Sequence, residues 1–239
     1  AVDMGTAQLL GRHTHLCRLL ANAAHQDGQV ERCLIFELPA LGALDTVLAI
    51  CSRDATAISN AVVLTICQQV CSAMTELVAR GVVHGNLSTG SVLVFGFDPG
   101  VPSAVLVKLC DYGLTIPPAR PARPQQGMVR WIAPELFPAD PPAQPSRHSD
   151  VWSFGVLMWE LQAPSPSLPY AAQRTDDSVR TFVGSGGRLA RPDLCRLEVF
   201  ALMVACWRAP PAARPSFPQL DLHLRVCQAD ERAAAGSPR

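Results

Sequence analysis

Apolar side chains recur at helical spacing through the middle of the chain. Ile58, Val62, Leu64, Ile66, Val70, Met74, Leu77 and Val78 predict one long, mostly buried helix over 58–80, with Gly81 as its C-terminal stop. The run Arg-Cys-Leu-Ile-Phe-Glu-Leu at 32–38 is short, apolar and β-prone, which predicts a buried strand. Two more short strands are predicted at 92–95 and 105–109. They are joined by a loop, 96–104, whose Asp-Pro-Gly is a turn signal. A strongly apolar helix follows at 151–161, with Ser149 as its predicted cap, and further helices at 173–183, 195–207 and 217–229. Pro-rich stretches at 117–126 and 138–145 read as irregular, and 230–239 as a disordered tail.

The sum is a mostly helical domain with little sheet. Composition narrows it. The 239 residues are 49% hydrophobic and 17% charged, enough apolar material for a folded core. Formal net charge is zero, so no global field favours nucleic acid or an anionic membrane. Nine cysteines, an odd number with no C-x-x-C pair, read as buried thiols and not as disulfides or a metal site. No basic, apolar leader is visible, and no uninterrupted apolar run reaches the ~18–20 residues of a membrane span. A reducing, cytoplasmic setting, or the cytoplasmic side of a larger receptor, is the expectation. Almost all basic residues are Arg, and Lys108 is the one lysine.

Four segments carry more than the periodicity does. In order they are Val83-His84-Gly85-Asn86-Leu87-Ser88-Thr89-Gly90-Ser91, Lys108-Leu109-Cys110-Asp111-Tyr112-Gly113-Leu114, Arg130-Trp131-Ile132-Ala133-Pro134-Glu135, and Ser149-Asp150-Val151-Trp152-Ser153-Phe154-Gly155. Cys206-Trp207 and Arg214-Pro215-Ser216-Phe217 follow. In order and spacing across 13–226 they resemble the protein kinase signature set of H-R-D-L-x-x-x-N, D-F-G and A-P-E, in its tyrosine-kinase and tyrosine-kinase-like form. The resemblance implies an α+β, protein-kinase-like fold: a mainly helical large lobe with an incomplete small β lobe. It divides the chain into a small-lobe remnant at 1–37 (end of helix C, strands 4 and 5), a large lobe at 38–229 and a tail at 230–239.

The resemblance also assigns roles. Glu135 and Arg214 match the family's buried ion pair, and Asp150 the aspartate that binds the catalytic-loop backbone. His84 matches a packing histidine, a structural residue. Leu93 matches the floor of the adenine pocket, Phe36 the gatekeeper, and Glu37, Leu38 and Pro39 the hinge. Asp111 remains as a metal-binding and cofactor-binding position. The chemical positions are altered. The loop aspartate that accepts the substrate proton is Asn86, an amide without basicity near neutral pH. The second metal ligand is Ser91, and the arginine of H-R-D is Gly85. No tyrosine lies between Leu114 and Ile132. Lys108 stands three residues before Asp111, so it is not the phosphate-gripping strand lysine. Aligning 12–16 with the turn before the fourth strand puts Met4 at the helix C glutamate. Ser88-Thr89-Gly90 matches neither the tyrosine-kinase nor the serine/threonine-kinase pattern.

These substitutions point to a pseudokinase, a binding or allosteric signalling module. Its partners would be other signalling proteins, an active kinase among them, with no cofactor needed. A second reading keeps the chemistry: residual or unconventional phosphotransfer with ATP and Mg²⁺ held through Asp111, the small lobe being completed by sequence outside this chain. A third is a fragment without independent function. With the first three strands outside the chain, Leu16, Leu19, Leu34 and Phe36 are expected to lose their cover.

Overall fold

The computed structural model describes residues 10, 12–24, 32–112, 128–137, 143–163 and 168–236. Met4, the loop 117–126 and most of the stretch from Gly113 to Ile132 lie outside the described residues.

Two antiparallel strands, β1 (Leu19–Ala24) and β2 (Arg32–Phe36), form a ribbon with Leu19 opposite Phe36 and a register shift between Leu19 and Ala21. The expected loss of cover is corrected at two positions. Leu16 is fully buried and Leu19 nearly so, while Leu20 and Ile35 are exposed, at 53% and 43%; the side chain of Leu34 lies outside the described residues. Leu16 is held by a bridge to Leu109 and joins the main core, so cover comes from the large lobe.

The chain then enters α1 (Leu44–Arg53), which the sequence reading missed. Its buried face is Leu44, Val47, Leu48 and Cys51, an i, i+3, i+4, i+7 set that was legible in principle. The centre is α2 (Asn60–Ala79), capped by Ser59, whose side chain accepts from the Val62 N–H. By length and composition α2 is apolar enough to cross a bilayer, unlike the expectation from uninterrupted runs. Here it is the core helix: Val62, Ile66, Cys67, Val70, Met74 and Leu77 are essentially inaccessible. It packs along α6 (Phe217–Gly236), beside α3 (Arg147–Gln162) and the strand β4 (Leu106–Leu109).

β4 pairs with β3 (Val92–Gly96), Leu93 lying opposite Lys108. Gln69 of α2 braces this hairpin, donating to Val105 O (2.8 Å) and accepting from Val107 N (2.8 Å). The cap of α3 is corrected. Ser146, not Ser149, is the N-cap, and Ser149 sits at N3, closing a reciprocal capping box. Gly155 on α3 lets α5 (Leu197–Cys206) approach: a Cβ there would fall 2.7 Å from both Cys206 Cβ and Trp207 Nε1. Phe154 on the same helix meets Phe217 edge to face at 5.6 Å. α4 (Asp176–Gly184) starts at a Thr175/Ser178 capping box. α6 runs to Gly236, so 230–236 are helical and not the unstructured tail expected.

Among the described residues, eight cysteines are buried thiols. Burial pushes Cys17 up to about 11 and Cys67 up to about 12, so both stay protonated at neutral pH.

Candidate functional site

The site lies where the loop 83–91, the 110–112 turn and the hinge 36–38 meet. The loop is fastened from below. Asp150, buried in the first turn of α3, accepts the His84 N–H through Oδ2 and the Gly85 N–H through Oδ1, both at 2.8 Å. Burial pushes its carboxyl up to about 6, against the pull of those two hydrogen bonds. Gly85 has φ +75°, a left-handed conformation that suits glycine.

His84 is fully buried. Its Nδ1 accepts the Asn86 N–H (3.2 Å), which assigns the ring proton to Nε2, 3.0 Å from Cys110 O. Burial lowers its pKa to about 4, so the ring is a neutral strut between loop and turn. Asn86 sits exposed just beyond it. Ser91 closes the short helical turn Thr89–Ser91: its hydroxyl donates to Ser88 O (2.9 Å) and accepts the Ser88 N–H (3.1 Å). It is 3% exposed and turned inward, so its oxygen is committed to the loop.

Asp111 is exposed, with φ +61°, a left-handed conformation that aspartate tolerates better than most residues. The next residue fixes it. Tyr112 is buried, and its hydroxyl donates to Cys17 O at 2.7 Å. Leu109 N bonds His15 O, and Cys17 N bonds Leu109 O, so the end of β4 and this turn are tied at three points to the segment 15–17 that leads into β1.

The hinge is held by the one lysine. Lys108 Nζ lies 2.7 Å from Glu37 Oε1, which also accepts the Arg18 N–H at 2.8 Å. Both side chains of this pair are largely buried, and Lys108 sits over the Phe95 ring at 4.8 Å. Burial alone would raise the Glu37 carboxyl, but the Lys108 and Arg18 contacts bring it below its ordinary value. Phe36 is half-buried at the end of β2, and Leu38 beyond the pair is 88% exposed. Leu93 faces Ala43 across an isolated bridge, which closes the hinge onto β3.

On the far side, Arg214 forks onto Glu135, Nη1 to Oε1 at 2.6 Å and Nη2 to Oε2 at 2.7 Å. The guanidinium is fully buried, bonds His148 O and Arg208 O at 2.9 Å, and lies over Trp152 at 5.1 Å. Sequence reasoning missed two supports here. Arg130 is buried and donates to the carbonyls of Pro169, Tyr170 and Gln173. Glu160 joins Thr89 to Trp131. Both depend on partners tens of residues away, which no local pattern signals.

The structure therefore brings together His84, Gly85, Asn86, Ser91, Cys110 and Asp111 around one loop, with Phe36, Glu37, Leu38 and Leu93 at the hinge. Glu135 and Arg214 form a separate anchor.

Residues 4–224 match the model for protein tyrosine and serine/threonine kinases. The human tyrosine-protein kinase TXK is 31% identical over 165 residues, covering 66% of this chain and 28% of that protein. Rat platelet-derived growth factor receptor alpha is 32% identical over 168 residues, covering 64% of this chain and 14% of the receptor. Zebrafish vascular endothelial growth factor receptor 3 is 34% identical over 158 residues, covering 64% and 11%. The chain thus spans under a third of the length of these relatives. With the match running nearly end to end, and with the loop, turn and ion pair arranged around it as described, the chain belongs to the protein tyrosine and serine/threonine kinase family.

Proposed function

We propose that this chain is a pseudokinase domain, a kinase fold that serves as a protein-interaction or allosteric signalling module in the cytoplasm or on the cytoplasmic side of a larger receptor. The observation that carries the reading is the inward turn of Ser91. Its hydroxyl is used on both sides by Ser88 at the position where the family places its second metal ligand. Lys108, the only ammonium side chain in the sequence, is committed to Glu37. Asn86 stands where a carboxylate would orient the substrate hydroxyl. Asp111 alone keeps a carboxylate for Mg²⁺, so these residues do not fit an ATP·Mg²⁺ pair. The retained members, Asp150, Glu135 and Arg214, hold shape and not charge on a phosphate. A second reading, residual phosphotransfer, rests on Asp111, which is exposed and held in one backbone conformation.

Restoring the base separates the two. General-base help is worth roughly 10²–10⁴ in rate. The parts of a phosphoryl-transfer site act as a unit, so one restored part recovers little. Asn86→Asp is therefore expected to show no phosphotransfer above background, with ATP, Mg²⁺ and a mixed tyrosine/serine peptide library. Steady turnover by that single variant would support the enzymatic reading instead.

A further inference from the structure

Glu160, near the end of α3, is part-buried beneath two segments of the cleft. Its Oε1 accepts the Thr89 hydroxyl at 3.0 Å, and its Oε2 accepts the Trp131 indole N–H at 2.9 Å. Thr89 belongs to the turn that follows Asn86. Trp131 belongs to the 128–137 segment, itself fastened by Ser153 Oγ on Trp131 O at 2.8 Å. One carboxyl group thus bolts the catalytic loop to the segment that leads into Glu135. The charged group facing it is another acid, Asp45 of α1, the helix packed against the Thr89 turn. Thr89 and Trp131 bring no charge, so the carboxylate is held by neutral donors beside a like charge.

Burial pushes the Glu160 carboxyl up to about 7, and Asp45 adds to this against the Trp131 and Thr89 bonds. The two donors differ in what they tolerate. An indole N–H only donates, whereas a threonine hydroxyl donates or accepts. With a proton on Glu160, the carbonyl oxygen keeps Trp131 and the hydroxyl turns to Thr89, which reverses. Both arms survive and the joint holds no charge. Without the proton, a carboxylate sits half-desolvated beside Asp45, and states that hydrate it are favoured.

We infer that Glu160 is a proton-operated latch: neutral, it closes the catalytic loop onto the 128–137 segment; ionised, it lets that joint open. The device needs no phosphoryl transfer, so it stands or falls separately from the pseudokinase reading.

The reporter is built in. The indole N–H of Trp131 can be assigned by its loss in Trp131→Phe. Its solvent exchange, corrected for base catalysis, is then followed in the intact chain from pH 5.5 to 8.5. A carboxyl whose pKa falls by about two units on opening favours the open joint by roughly 100-fold once ionised. Protection is therefore expected to fall between the open-state pKa and the closed-state value of about 7, by roughly 20-fold over the measured range, with a midpoint at about pH 6 and little further change above about 7. Glu160→Gln should abolish the pH dependence. Asp45→Asn, on an exposed residue outside the joint, should leave the fold intact and move the midpoint down. A corrected exchange rate independent of pH, the same titration in Glu160→Gln, or an unmoved midpoint in Asp45→Asn would each overturn the latch.

Discussion

Glu135→Ala is expected to cost about 3–5 kcal/mol of stability, because it strands a fully buried guanidinium. Arg214 keeps the carbonyls of His148 and Arg208, but these are dipoles and replace only part of the lost carboxylate. The loss is a large share of the roughly 5–15 kcal/mol typical of a domain. A double variant, Glu135→Ala with Arg214→Met, removes both charges and should recover part of it, since an apolar replacement of a buried pair is often tolerated. Urea unfolding of the two variants measures both effects. A cost below about 1 kcal/mol for Glu135→Ala would mean that the pair behaves as a surface bridge.

Asp150→Ala should cost a comparable amount by another route. It leaves the His84 and Gly85 N–H groups without their acceptors, at about 1–3 kcal/mol for each stranded donor. It also frees the loop that carries Asn86. The same residue gives a pH signature. Its carboxyl is raised to about 6 in the fold, above the usual aspartate value near 4. The folded state therefore binds the proton more tightly. Its contribution is fully present below about pH 4 and is lost as pH rises to about 6, by on the order of 3 kcal/mol. His84 works the other way. Its lowered pKa makes its contribution present above about 6.5 and lost as pH falls toward 4. Subtracting the stability curve of Asp150→Ala from that of the parent isolates the aspartate. The difference should decline between pH 4 and 6, and a difference that rises there would contradict the assignment.

Much of this architecture was legible before any coordinates. The 58–80 periodicity becomes α2 because its apolar residues face a closed core on several sides. The motif order placed Glu135 and Arg214 together although 79 residues separate them. What escaped was set by local competition or by distance. Ser149 looked like a cap because it precedes Asp150. Ser146, three residues earlier, supplies an equivalent hydroxyl and reverses the roles. α1 escaped because its four buried positions follow a Pro- and Gly-containing hinge that reads as a loop. Leu16 and Leu19 seemed uncovered because cover was sought in the family's upstream strands, whereas β4 provides it for Leu16. The Lys108–Glu37 and Glu160–Trp131 contacts join residues 71 and 29 positions apart, with no family motif to pair them.

The central claim is that the kinase fold is kept while the nucleotide machinery is spent on structure. A thermal-shift titration with ATP and Mg²⁺ tests it most directly. A ligand at 100 times its Kd stabilises a protein by about 2.7 kcal/mol. For a chain of this size that is a rise of roughly 5–10 °C in Tm. With Ser91 committed to its own loop and Lys108 off the phosphate-gripping position, the expected result is no resolvable shift at micromolar ATP with Mg²⁺ in excess. A saturable rise of that size at micromolar ATP, lost on removing Mg²⁺ or in Asp111→Asn, would contradict the account.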